Sequence, residues 1–70
     1  MQSVERPLDM LNQNKGLLVM VGLKTEKRPL FGILIAFDIN INLVIELRDK
    51  KLKFIKGDSV EFVQEGKDEE

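Results

Sequence analysis

The alternation of apolar and polar positions predicts a small fold built around two adjacent strands. Residues 31–37, FGILIAF, are apolar at every position except Gly32, which predicts a strand covered on both faces. After a polar corner, Leu43, Ile45 and Leu47 recur at every second position, as in a strand with one face in a core. These two strands and the corner between them form the centre of the predicted fold.

A short helix is expected before the strands, over residues 6–14. Pro7 suits the first helical position because its missing N–H would be unpaired there in any case. Asp9 falls in the first turn, where the helix dipole favours a negative charge. Gly16 follows as a natural stop.

The five predicted strands are short and separated by turns. Gly32 predicts a bend or bulge within the second strand. In the fourth strand Leu52 and Phe54 are expected to point inward, with Lys51 and Lys53 outward. The predicted strands cover residues 17–23, 30–37, 42–48, 51–55 and 59–64.

One helix followed by five antiparallel strands predicts a mainly β fold, a strongly bent SH3-like barrel with the helix across one open end. We expect one domain over residues 6–64, a flexible N-terminus over residues 1–5 and a disordered acidic tail over residues 65–70. The last two strands have little within the barrel to pair with. An edge left open in this way invites pairing with a neighbouring chain.

Length and composition narrow the possible functions. A chain of 70 residues buries only ~60% of its unfolded surface, so oligomerisation is the expected source of added stability. The absence of Cys and His excludes disulfides, the common zinc sites and the usual nucleophile–base pairs, so we expect neither an enzyme nor a bound metal or cofactor.

Charge and hydropathy give further expectations. No apolar run approaches the ~20 residues of a membrane span and no signal peptide is visible, so a cytoplasmic protein without membrane contact is expected. The net charge of −1 provides no general attraction to nucleic acid, so nucleic-acid binding would have to come from a local site.

The polar corner is the first candidate for such a site. Asp38, Asn40 and Asn42 are spaced two apart and share one face of an extended chain. The amides of Asn42 and Asn40 can bond a nucleobase edge or cap the turn backbone, and both roles stay open. Asp38 is expected to accept backbone N–H groups. A calcium loop is rejected because its sixth position would be Leu43 where glycine is needed.

A second set of polar residues lies around the last turns. Lys56 precedes Gly57 and Asp58, and Gly57 is expected to adopt a positive φ. Lys56 is either a solvated turn charge or, repeated by symmetry, part of a cationic ring. The basic hairpin residues are expected to protect an edge, with a second nucleic-acid contact surface as the less favoured interpretation; they are Arg48, Lys50, Lys51 and Lys53.

Several motifs resemble those of the Sm-like (LSm) proteins, in particular the short archaeal type. The similarity covers residues 6–63. Residues 6–11 resemble the opening helix, residues 21–24 with 32–43 the first family motif, and residues 55–63, IKGDSVEFV, the second. Both motifs occur in order behind the helix, which makes the resemblance specific.

The resemblance implies a homo-oligomeric ring, usually of seven copies and in some relatives six, in which strand four of one copy pairs with strand five of the next. It also implies binding of single-stranded RNA, often uridine-rich, at the pore. Carried over by position, the RNA-binding residues are Asn40, Asn42, Lys56 and Asp58, with supporting roles for Asp38 and Gly57.

Two positions depart from the family pattern. Position 40 often carries histidine or an aromatic residue that stacks on the base, and here it is Asn40. Position 56 is usually arginine, and Lys56 keeps the charge but lacks the planar group. Because stacking contributes ~1–3 kcal/mol per base, weaker uridine binding is expected.

We therefore expect a ring-forming RNA-binding protein that acts as a scaffold or chaperone in RNA metabolism. The alternative is a structural ring or protein-interaction module that has lost base-specific readout. A third, weaker hypothesis is a lone barrel that binds peptides.

Overall fold

The computed structural model describes residues 7–66 and begins with a short helix, α1, over Pro7–Gln13. Asp9 lies in its first turn, as predicted. Asn14 ends the helix, because its side-chain Nδ2 donates to the Met10 carbonyl oxygen at 2.9 Å. Gly16 follows with a φ of 85°, which confirms it as the stop. Residues 1–6, including the predicted flexible N-terminus, lie outside the described range.

Five strands follow and form one sheet in the order β4-β3-β2-β1-β5, with every neighbouring pair antiparallel. This architecture confirms the predicted mainly β fold behind a short helix. The strands are β1 (Leu18–Leu23), β2 (Leu30–Phe37), β3 (Leu43–Glu46), β4 (Leu52–Ile55) and β5 (Val60–Glu65).

The register of the sheet shifts at two places, which lets the short strands bend around the core. One shift lies between Leu34 and Ala36, where β2 leaves β1 and pairs with β3, and the other between Gly22 and Leu23. The irregularity of β2 therefore lies beyond Gly32, where a bend or bulge was predicted, and a bend at Gly32 itself stays a prediction. Gly32 serves a close approach, because a Cβ there would meet the Ile45 side chain and lie 2.8 Å from a β3 carbonyl oxygen.

A single core lies between the helix and the inner face of the sheet. Leu11 of α1 is 1% exposed and covers the strands from one end. Each fully buried aliphatic side chain contributes about 1.5–3 kcal/mol relative to exposure. The other buried apolar residues come from all strands except β5: Val19, Val21, Leu34, Leu43, Ile45 and Ile55.

Two predictions about strand faces are wrong. The β2 strand is not covered on both faces within one chain, since Phe31 is 45% exposed. In β4, Phe54 is 77% exposed and Ile55 is buried, the reverse of the predicted orientation. The cause is the pairing with β3: Ile55 lies opposite the buried Leu43 and shares its face.

The two edges of the sheet are β4 and β5, in agreement with the prediction that the last two strands leave an open edge. The β5 strand runs to Glu65, and the Gly66 N–H donates to the Leu18 carbonyl oxygen at 3.0 Å. Glu65 and Gly66 were predicted to start the tail, but the edge of β1 supplies partners for their backbone. Residues 67–70 lie outside the described range. No helix within residues 7–66 is long and apolar enough to span a membrane.

We predict that Gly32→Ala lowers the free energy of unfolding by about 2 kcal/mol, because the added methyl group overpacks against Ile45 and rigid backbone. Gly22→Ala is the matched comparison, because its Cβ would meet the ring of Phe62, which is 41% exposed and can move. Urea unfolding of both variants at one protein concentration measures the difference. Equal destabilisation would contradict the assigned role of Gly32.

Candidate nucleic-acid interface

The polar corner between β2 and β3 is organised by the carboxylate of Asp38. Its Oδ1 accepts the backbone N–H of Asn40 at 2.9 Å and that of Asn42 at 3.1 Å. The Ile41 N–H donates to the Asp38 carbonyl oxygen at 3.0 Å, which closes the turn. The predicted structural role of Asp38 agrees with these bonds.

The side chain of Asn42 joins this corner to the segment between β4 and β5. Its Nδ2 donates to Asp38 Oδ2 at 3.0 Å, and its Oδ1 accepts the Gly57 N–H at 2.7 Å. One N–H and one lone pair of the amide stay available after these bonds. Asn42 thus holds the two loops together.

Gly57 is required by space and not by backbone conformation. The prediction of a positive φ at Gly57 is wrong, since the positive-φ glycine of the described residues is Gly16. A Cβ at Gly57 would collide with the carbonyl oxygen of Asn40. The two loops therefore touch through their backbones, and Ile41 takes the strained φ of 64° beside this contact.

Three of the predicted residues line one cleft of about 410 Å³ at the end of β3 and β4. They are Asp38, Asn42 and Lys56. Asn40 and Asp58 are exposed nearby but do not line this cleft. The remaining lining residues are mostly apolar: Ala36, Phe37, Leu43, Val44, Phe54 and Ile55.

Phe54 is a lining residue that the sequence analysis assigned to the core. It is the most exposed of the large apolar side chains, at 77%. Its position two residues before Lys56 places both side chains on one face of the extended chain, and that spacing could have revealed it. The cleft therefore combines a cation, an amide and an aromatic wall.

The charge state of Asp38 is set by hydrogen bonds within its own loop. Bonds from the Asn42 side chain and backbone, and from the Asn40 backbone, hold the pKa of Asp38 below its usual 3.8. Asp38 is thus a carboxylate at neutral pH, engaged inside its own loop. Among residues 7–66 no group of three His, Cys, Asp or Glu side chains is placed to hold a metal ion.

Solved structures of archaeal Sm-like proteins are similar to this chain. An SmAP (LSm) protein from Methanococcus vannielii shares 32% identity, with 84% of this chain and 94% of that chain covered and a TM-score of 0.72. A Pyrococcus abyssii Sm protein, in complex with a uridine heptamer, shares 30% identity over 86% and 97% of the two chains, with a TM-score of 0.73. A heptameric archaeal Sm protein shares 26% identity over 81% and 96%, with a TM-score of 0.64.

No family model matches the chain, and a search of curated proteins found no match.

We predict that the bonds around Asp38 make stability depend on pH below its ordinary pKa. The folded-state pKa is lowered, so the stabilisation is complete above about pH 4 and is lost as the pH falls through the folded-state value. Asp38→Asn should remove this dependence, because the amide does not titrate. Thermal unfolding of both proteins between pH 2 and pH 6 gives the comparison. A wild-type profile identical to that of the variant over this range would contradict the assignment.

Proposed function

Because this chain belongs to the Sm-like protein family, we propose that it forms a homo-oligomeric ring that binds single-stranded RNA at its pore. It would act as a non-enzymatic scaffold or chaperone in RNA metabolism. The observation that carries the proposal is the cleft in which Asn42 bridges two loops beside Lys56. The Pyrococcus abyssii relative in complex with a uridine heptamer supports RNA as the ligand.

Each polar residue in and around the cleft has its own role in the proposed binding of RNA. Lys56 supplies the positive charge for a phosphate or a base oxygen, and Asn42 offers its remaining N–H and lone pair to a base edge. Asn40 and Asp58 are exposed beside the cleft and form the outer part of the proposed site. Asp38 and Gly57 act behind them, because they fix the loops that present these groups.

The ring is supported by the unfinished edges of the sheet. Each edge strand presents backbone groups that a second copy can pair. The outer face of β4 carries Leu52 and Phe54, which are 57% and 77% exposed. Beside β5, a cleft of about 460 Å³ can receive apolar side chains of a neighbouring β4; it is lined by Met10, Leu11, Ile41, Val60, Glu61, Phe62 and Val63.

We propose pairing of β4 with β5 of the next copy, in a ring of seven with six as the alternative. The archaeal relative that is heptameric supports the number seven. Repetition around the ring would gather one Lys56 from each copy near the pore, so that a single lysine per copy becomes a ring of like charges on an acidic protein, an effect that Asp58 beside it tempers.

The second candidate function is a structural ring without base readout. The observation that favours it is the chemistry at positions 40 and 56, where Asn40 and Lys56 provide no planar group for stacking. RNA affinity and its dependence on Lys56 separate the two functions.

We predict that Lys56→Ala weakens oligo-U binding by about tenfold or more at low salt, because every copy loses its cation at once. The slope of affinity against salt should fall as well. Fluorescence anisotropy with short oligo-U and oligo-A measures both quantities. Lys27→Ala, in the exposed loop between β1 and β2, is the control and should bind as the wild type does. Absence of binding by the wild type would favour the structural ring.

We predict that Phe54→Asp separates the ring into single chains of 8.0 kDa, because the new charge would be buried against the neighbouring copy. Phe31→Asp is the matched control, since Phe31 is 45% exposed on β2, which lies between β1 and β3 and forms neither edge. Native mass spectrometry of both variants and the wild type reads the result. A wild type that stays a single chain would overturn the ring, and an intact Phe54→Asp ring would overturn the assigned contact.

A further inference from the structure

We propose that opposite charges on the two open edges restrict the copies to β4-to-β5 contacts and prevent the two symmetric contacts, β4 to β4 and β5 to β5. This inference rests on the proposed ring and names what selects its geometry. The charges of the edges make this selection, because the apolar faces of the strands favour every pairing alike.

The charges of the two edges are segregated along the sequence. Residues 50–56, which contain β4, include four basic residues and no acidic one: Lys50, Lys51, Lys53 and Lys56. Residues 58–65, which contain β5, include three acidic residues and no basic one: Asp58, Glu61 and Glu65. All seven of these side chains are exposed.

The registers of the sheet place one charge of each edge, Lys53 and Glu65, on the same face. Lys53 lies opposite Ile45 of β3, and Glu65 lies opposite Val19 of β1. Ile45 and Val19 are both fully buried in the core, so Lys53 and Glu65 belong to the inner face of the sheet. A sheet continued from β4 of one copy into β5 of the next therefore brings lysines and glutamates to one side.

The exposed phenylalanines of the two edge strands occupy the other face. Phe54 lies opposite Val44, and Phe62 lies opposite Gly22, where its ring covers the glycine. Continuation of β4 into β5 brings these two phenylalanines to the same side. The head-to-tail contact is thus complementary on both faces, basic with acidic and aromatic with aromatic.

The symmetric contacts fail on the inner face only. A β4-to-β4 contact would keep phenylalanine beside phenylalanine but would place lysines opposite lysines, and a β5-to-β5 contact would place glutamates together. Like charges directly opposite each other destabilise a strand pair. A symmetric contact uses the same edge of both copies and joins only two chains, whereas head-to-tail contacts generate closed rings. The charges therefore favour rings over dimers, which the apolar faces cannot do.

The experiment exchanges the charges of one edge at a time. K51E/K53E removes the net positive charge of the β4 edge and leaves the β5 edge acidic. E61K/E65K makes the β5 edge basic, as the β4 edge is. We expect each variant alone to lose the ring in native mass spectrometry at a concentration where the wild type is assembled. The variant with all four substitutions restores opposite charges and should assemble again.

An equimolar mixture of the two double variants provides a sharper readout. Opposite charges then meet only where a K51E/K53E chain contacts an E61K/E65K chain, so the two variants must alternate around the ring. We expect assemblies with an even number of chains and equal amounts of the two variants, such as six or eight. This result would support the inference even if the variant with all four substitutions failed to fold.

A matched control carries the same change in charge away from the edges. K27E/R28E lies in the exposed loop between β1 and β2 and should assemble as the wild type does. Circular dichroism of each variant checks that the sheet is retained. Wild-type assembly by folded K51E/K53E and E61K/E65K, or a mixture that does not alternate, would overturn the inference and leave the proposed ring intact. Absence of a wild-type ring would overturn the proposed function itself.

Discussion

The hydrogen bond from the Gly57 N–H to Asn42 Oδ1 is the contact on which the candidate site depends. It joins the loop that ends β2 to the segment that leaves β4, two parts of the chain separated by fifteen positions. Asp38 holds Asn42 in place through its backbone and side chain. Because Gly57 has no Cβ, the loops meet backbone to backbone. Lys56 is therefore positioned beside the polar corner by the close approach of the two backbones and by the Asn42 side chain that bonds across it.

The small size of the chain explains why the sheet stays open at both edges. The core contains seven buried apolar side chains, supplied by the helix and four of the five strands, while β5 contributes only half-buried ones. A domain of this length buries too little surface to be comfortably stable alone. Exposed apolar residues on β4 and a cleft beside β5 provide the missing burial when copies join. In the proposed ring the same strands that complete the fold also arrange the RNA-binding loops around one axis.

The sequence predicted the elements well because local signals dominate them. Pro7 and Gly16 marked the helix, and the alternation of Leu43 and Ile45 marked an inner face. The orientation of Phe54 could not be predicted in this way. In a strand of four residues with apolar residues on both sides, the partner strand decides which side is buried. Gly57 shows the same limit, since its need for space arises from a loop distant in sequence.

The site shows why a residue can serve structure and binding together. Asn42 was open to either role from its chemistry, and the structure gives its amide two structural bonds while one N–H and one lone pair stay free. Each copy would then bind RNA weakly, because neither Asn40 nor Lys56 adds a stacking plane. In the proposed ring, several such sites would engage one strand at high effective concentration, and the combined affinity would exceed that of any single site. Assembly would thus compensate for the chemistry that the individual cleft lacks.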